Sequence, residues 1–139
     1  MKEIDGLIIF DLFGPIAHFR KFYTNSSSLS YSFPPRTTVT GLIAGILGME
    51  RDSYYDEFNS SRCSVAISIK NKIRKIMQTV NLLNTDEFSS FRNVFKNMML
   101  RKNLHPTPLE LIFPALPEKE VSYRIYFFHS NDSIMRDLN

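Results

Sequence analysis

Gly6 to Phe13 reads Gly-Leu-Ile-Ile-Phe-Asp-Leu-Phe, a short and nearly continuous apolar run that predicts a buried central strand. Gly14-Pro15 closes it, because proline lacks a ladder donor and glycine frees the backbone. From Pro35 the period changes. Val39, Leu42, Ile43, Ile46 and Leu47 stand at helical spacing, which predicts a helix presenting that stripe to a core, with Thr37 or Thr38 available as its cap. Gly41 and Gly45 would allow close backbone approach at a cost of about 1 kcal/mol of helix propensity each. Gly48 falls at the C′ position. Residues 50–58 predict a second short helix.

Farther on, Cys63, Val65, Ile67 and Ile69 alternate with Ser64, Ala66 and Ser68, the signature of a half-buried strand. Asn71 interrupts it, and Ile73 to Leu83 predicts a second extended segment carrying Arg74, Lys75 and Gln78. Between Thr85 and Lys102 the spacing turns helical again: Phe88, Phe91, Val94, Phe95, Met98 and Met99 form one stripe, with Asp86 and Glu87 in the first turn. A Phe/Met stripe of this kind is a core or a partner-docking face rather than a cofactor box. His105-Pro106-Thr107-Pro108 is expected to break that helix in a loop, with a short strand at Leu109 to Phe113. Val121, Tyr123, Ile125 and Phe127 mark a clear strand, and Ser130-Asn131-Asp132 starts a helix with Ile134 and Leu138 on one face. Together these elements predict an α+β, ferredoxin-like (RRM-like) βαββαβ domain over residues 1–139. It carries an insertion and is expected to stop before its last strand, leaving an open sheet edge for a partner to cover.

A chain of 139 residues with 43% apolar residues can build one core, and a net charge of +3 is by itself indecisive. The distribution of charge says more. Between Arg62 and Lys102 nine Lys and Arg face only Asp86 and Glu87, a surplus of seven, and from Pro15 to Met49 there is no Asp or Glu at all. Cys63 is the single cysteine, which excludes an intrachain disulfide and a thiolate metal cluster. The N-terminus is too acidic for a signal peptide, and no apolar run approaches the roughly 20 residues of a membrane helix, so a cytoplasmic location is expected.

The acid-free stretch also interleaves cations with rings: Arg20, Lys21 and Arg36 stand near Phe19, Tyr23 and Tyr31. Such a loop suits a polyanion with stackable faces, of which single-stranded RNA is the first candidate. Tyr23 and Tyr31 either stack on bases or pack within the loop. Arg36-Thr37-Thr38 opens a helix, where a phosphate can meet a guanidinium, hydroxyls and backbone N–H groups together. The sequence lacks a phosphate-binding Gly-x-x-x-x-Gly-Lys-Ser/Thr loop, a His-Glu-x-x-His pair and a nucleophile elbow, and nothing in it supports a metal or other cofactor.

The segments Gly14-Pro15-x-Ala17-His18-Phe19-Arg20-Lys21-x-Tyr23-Thr24 and Pro34-Pro35-Arg36-Thr37-Thr38-Val39-x-Gly41-Leu42-Ile43, followed by Ile46-Leu47-Gly48, closely resemble the start of one CRISPR-associated family. Cys63-Ser64-Val65-Ala66, His105-Pro106-Thr107-Pro108 and Ser122-Tyr123-Arg124-Ile125-Tyr126-Phe127 agree more weakly. The family is the small RAMP-type subunit, fifth in the numbered series, of type I Cascade complexes, and the wording looks most like its I-B (Hmari-like) branch. Its members are longer than this chain.

The resemblance implies a non-catalytic antiviral subunit that binds the crRNA 5′ handle, touches the Cascade backbone subunit and helps seat the large subunit. Target DNA is met only through the complex, and no membrane is involved. It also implies a thumb inserted after the second strand, here within about residues 70–110. On this reading Arg20, Lys21, Tyr23, Thr24, Tyr31, Arg36, Thr37 and Thr38 contact RNA, and Lys72, Arg74, Lys75 and Gln78 support it near the thumb. The alternative is a metal-independent endoribonuclease cutting CRISPR repeat RNA, as one branch of the family does. His18, Lys21, Tyr23, His105, Lys70, Lys72 and Lys75 offer the residue types that 2′-hydroxyl attack on a phosphate needs. His105 and His129 read as structural or exposed.

Overall fold

The computed structural model describes residues 6–24, 27–83, 95–96 and 104–138. Three antiparallel strands, β1 (Ile8–Gly14), β2 (Cys63–Ile69) and β5 (Val121–His129), form a sheet in the order β1-β5-β2. Helix α1 (Arg36–Ile46) follows β1, and α2 (Asp132–Asp137) follows β5. Strands β3 (Ile73–Leu83) and β4 (Leu104–Pro114) pair with each other as a separate two-stranded ribbon between β2 and β5. The result is a mixed α/β architecture of antiparallel sheets, consistent with a ferredoxin-like fold.

Register explains the core. Ile8, Phe10 and Leu12 of β1 stand opposite Phe127, Ile125 and Tyr123 of β5, which in turn face Val65, Ile67 and Ile69 of β2. Alternate residues of β5 from Val121 to His129 are buried, and Val39, Ile43 and Ala44 of α1, Phe58, and Ile134 of α2 pack on the same face. The alternation therefore appears in β5 and in β2 as far as Ile67, whereas Ile69, expected on the buried side, is exposed at the strand's end.

Several expectations are corrected. Strand β1 pairs only with β5 among the described residues, and its outer-face side chains are open, with Phe13 65% exposed. It is amphipathic in place, because the other face alone meets the helices. On α1 the buried face is Val39, Thr40, Ile43 and Ala44, while Leu42 and Ile46 are exposed. The N-cap is Pro35, with no side-chain cap, so neither Thr37 nor Thr38 takes that part. Gly48 does sit at C′ with φ +69°, and a Cβ on Gly41 would lie 3.0 Å from the Tyr54 hydroxyl, whereas Gly45 has open space.

Residues 50–58 are turns, not a helix. Asp52 adopts φ +63°, and Ser53 and Phe58 make isolated bonds to Glu50 and Tyr54. The predicted helix over 85–102 lies outside the described residues, except that Phe95 and Lys96 are helical and exposed. His105-Pro106-Thr107-Pro108 is strand rather than loop: Pro106 stands opposite Asn81 and Pro108 opposite Thr79. Proline fits because even-numbered residues of β4 turn their backbone away from β3, as the bonds from Glu110 and Ile112 N–H to Ser28 and Ala17 show, so no ladder bond is lost. Asn131 caps α2 as expected, its side chain accepting from the Ser133 N–H.

Candidate nucleic-acid interface

The segment between β1 and α1 is docked along the outer side of β4. Ala17 and Ile112 exchange backbone bonds of 3.0 and 2.8 Å; Ser28 N–H donates to the Pro108 carbonyl and Glu110 N–H to the Ser28 carbonyl, both at 2.8 Å. Inside the loop, Tyr31 N–H donates to Phe19 and Lys21 N–H to Leu29, pairing its two arms. Tyr123 closes the base, packing edge-on against Phe19 and donating its hydroxyl to the Ser32 carbonyl.

His18 is part of this fastening. Its Nδ1 is 2.8 Å from the Glu110 carbonyl, which can only accept, so the proton is assigned to Nδ1. Nε2 is then left to accept from the Ser28 hydroxyl at 3.1 Å. Ser30, fully buried, is the knot of the loop. Its N–H donates to Glu110 Oε2 at 2.9 Å, its carbonyl accepts from Lys75 Nζ, and its hydroxyl joins Phe19 N–H to the Tyr31 carbonyl. Lys75 Nζ also lies 3.1 Å from Glu110 Oε2. Burial pushes the Glu110 carboxyl up, but the Ser30 amide, Lys75 and Lys21 outweigh it and hold the group below its ordinary value.

On this anchored base the loop presents cation and rings. The Lys21 ammonium lies 5.7 Å from the ring centroids of both Tyr23 and Tyr31. Phe22, 88% exposed, meets Tyr23 edge-on at 5.3 Å. Arg20 is exposed, with Nη2 3.3 Å from the Thr24 carbonyl, and the buried Thr24 hydroxyl donates to the Lys21 carbonyl, shaping the turn. Thr37 and Thr38 are exposed on the first turn of α1. Arg36 is directed elsewhere: Nη2 donates to the carbonyls of Phe58 at 2.8 Å and Cys63 at 3.1 Å. Lys72, just before the ribbon, and Arg74 and Gln78 on it are exposed, and Arg74 lies over the Phe113 ring at 5.9 Å.

The structure thus brings Arg20, Lys21, Tyr23, Thr24 and Tyr31 together on one loop and joins that loop to the ribbon through Lys75. Sequence reading passed over Phe22, Ser30 and Glu110. Phe22 carried a signal, an apolar residue between a cation and a tyrosine in an acid-free loop; Ser30 and Glu110 carried none, because their roles depend on contact across 80 residues. Neutralising a phosphate while stacking a base is what this arrangement can do chemically. His129 is buried, with Nε2 donating to the Glu57 carbonyl and Nδ1 accepting from Asn131 N–H. Among the described residues no group of three or more His, Cys, Asp or Glu is placed to hold a metal, and no helix is long and apolar enough to cross a membrane.

Residues 7–118 match the family described as CRISPR-associated protein (Cas_Cas5). No curated protein matches the chain. Among solved structures it is similar to a chain of a CRISPR RNA-guided surveillance complex, with a TM-score of 0.61 and 12% identity over 96% of its length. The chain spans 53% of the length of that relative, and at this identity the likeness is one of fold.

Proposed function

Because the chain belongs to the CRISPR-associated Cas5 family, we propose that it is a non-catalytic subunit of a type I surveillance complex, of the I-B-like branch, that holds the 5′ handle of the guide RNA. The observation that carries the reading is the acid-free loop fastened to β4, with Lys21 between Tyr23 and Tyr31 and Phe22 projecting beyond them. A cation between two rings meets a phosphate while neighbouring faces stay open for bases. Arg20, Thr37 and Thr38 extend the contact along the strand, and Thr24 and Arg36 shape the surfaces beside it.

In this reading the β3–β4 ribbon is the root of the thumb, inserted between the second and third strands of a ferredoxin-like unit, and Lys72, Arg74 and Gln78 line its flank. The engagement of both His18 nitrogens, one by the Glu110 carbonyl of β4 and the other by Ser28 of the loop, supports a holding role over proton transfer. Contacts with a backbone subunit and the large subunit complete the proposal, and DNA is reached only through the assembled complex. The test is competition binding at about 0.15 M salt, setting RNA with the intact handle against RNA with the handle scrambled. Preference for the intact handle is expected; equal binding of both would reduce the surface to an unspecific basic patch and overturn the reading.

A further inference from the structure

We propose that Glu110 and Lys75 form a latch that fixes the handle-binding loop to the ribbon, so that Lys75 acts as a positioning residue and not as a phosphate ligand. The inference rests on the RNA-holding reading and deepens it.

The two side chains come from opposite strands of the ribbon and take hold of one peptide group each side of Ser30. Glu110 Oε2 accepts its N–H, and Lys75 Nζ donates to its carbonyl. Their ammonium and carboxylate also pair at 3.1 Å, with the side chains 29% and 20% exposed, so Lys75 spends its charge inside the protein. No acid lies between Pro15 and Met49, and Glu110 reaches this loop from another part of the chain. What Ser30 fixes is the stacking surface. The next residue is Tyr31, whose N–H is tied to Phe19 and whose ring faces Lys21. Moving Ser30 therefore moves Tyr31 and, with it, the cluster that includes Lys21 and Tyr23.

The sign of one substitution separates the latch from simple electrostatics. Glu110 is a negative charge close to a surface proposed to bind a polyanion. If charge were all it supplied, removing it would tighten RNA binding. The latch demands the reverse. Glu110→Ala and Lys75→Met should each weaken handle RNA binding by about fivefold or more, with Glu110→Gln intermediate. The double variant should lose little beyond either single one, since both break the same connection.

Binding would be measured on the full chain, with thermal melts confirming that each variant is folded, and repeated across a salt series. A latch leaves the slope of log affinity against log salt unchanged. A direct phosphate contact from Lys75 would instead reduce that slope by about 0.7 for a single strand. Tighter binding by Glu110→Ala, or a reduced slope in Lys75→Met, overturns the proposal. Amide exchange in the absence of RNA reads the latch separately: Ser28 and Ser30 should exchange faster in Glu110→Ala while Ala66, at a bonded position of β2 opposite Tyr126, is unchanged. Unaltered exchange at Ser30 overturns the latch whatever the RNA results. A wild-type chain without handle preference would overturn the RNA-holding reading, and exchange would then decide the latch alone.

Discussion

Asp11 on β1 and Arg124 on β5 stand directly opposite on the outer face of the sheet and meet in a two-pronged pair. Nε and Nη2 of Arg124 lie 2.8 and 2.9 Å from the two carboxylate oxygens, and Lys70 approaches from β2's end at 3.2 Å. The Arg124 hydrogen bonds, against a smaller opposing effect of burial and with help from Lys70, lower the Asp11 pKa to about 2. A carboxyl whose pKa is lowered by folding stabilises the native state above its unfolded value and loses that contribution as pH falls toward the folded one. The window is about pH 4 down to about pH 2. Asp11→Asn should therefore melt below the wild type at neutral pH, with the gap closing across that window. Parallel melting curves of the two proteins from pH 6 to pH 2 would contradict the assignment.

Arg36 bonds to the backbone at the entry to β2, which makes it a stability residue as well as a member of the Pro-Pro-Arg-Thr-Thr segment at the start of α1. Its removal strands two carbonyls. Arg36→Ala should cost about 1–3 kcal/mol, the range for leaving a buried acceptor unsatisfied, read as a lower urea midpoint. The buried Cys63 thiol, pushed up by burial against the opposing pull of Arg36, should resist a thiol reagent in the native protein. In Arg36→Ala it should react faster, since the 58–63 segment loosens.

The two glycines near the end of α1 should answer an alanine in opposite ways. Gly45 has no neighbour within 4 Å of an added Cβ and lies in the helix, so Gly45→Ala should stabilise by about 0.4–1 kcal/mol. Gly48 holds φ +69° past the helix end, and alanine there costs about 1–2 kcal/mol. Differential scanning calorimetry should show melting temperatures moving apart, up for the first variant and down for the second.

Phe22 is solvent-exposed and, among the described residues, its ring pairs with Tyr23, so Phe22→Ala should leave the melting temperature nearly unchanged. Handle RNA binding should weaken by about 1–3 kcal/mol, the range for one stacked base. Fluorescence anisotropy with labelled RNA would measure it, and undiminished affinity would remove Phe22 from the interface.

Local patterns carried much of the fold. Cys63 to Ile67 and Val121 to Phe127 alternate because a single face of each strand is buried, and Gly48 is legible because few residues accept its backbone angle. The misreadings arose where partners distant in sequence decide the outcome. Pro106 and Pro108 suggest a loop until one knows which edge of β4 they face. The segment Glu50 to Phe58 reads as a short helix, yet it forms turns that pack Tyr54 and Phe58 against the core. At the site, Lys21, Tyr23 and Tyr31 were visible as residue types, and the structure adds their shared geometry. Glu110 was invisible, because a lone acid in a strand gives no hint of the serine it will hold.

The placement of Pro106 and Pro108 has one further result. An exposed strand edge ordinarily offers alternating donors and acceptors on which another chain can template itself. At these two positions β4 has carbonyls but no amide hydrogens to offer outward, and the Pro108 carbonyl is already taken by Ser28. A strand approaching from solvent would find its own carbonyls unanswered there. On this side the ribbon thus resists zipping onto a neighbouring strand, leaving its side chains, rather than its backbone, to select what it touches there.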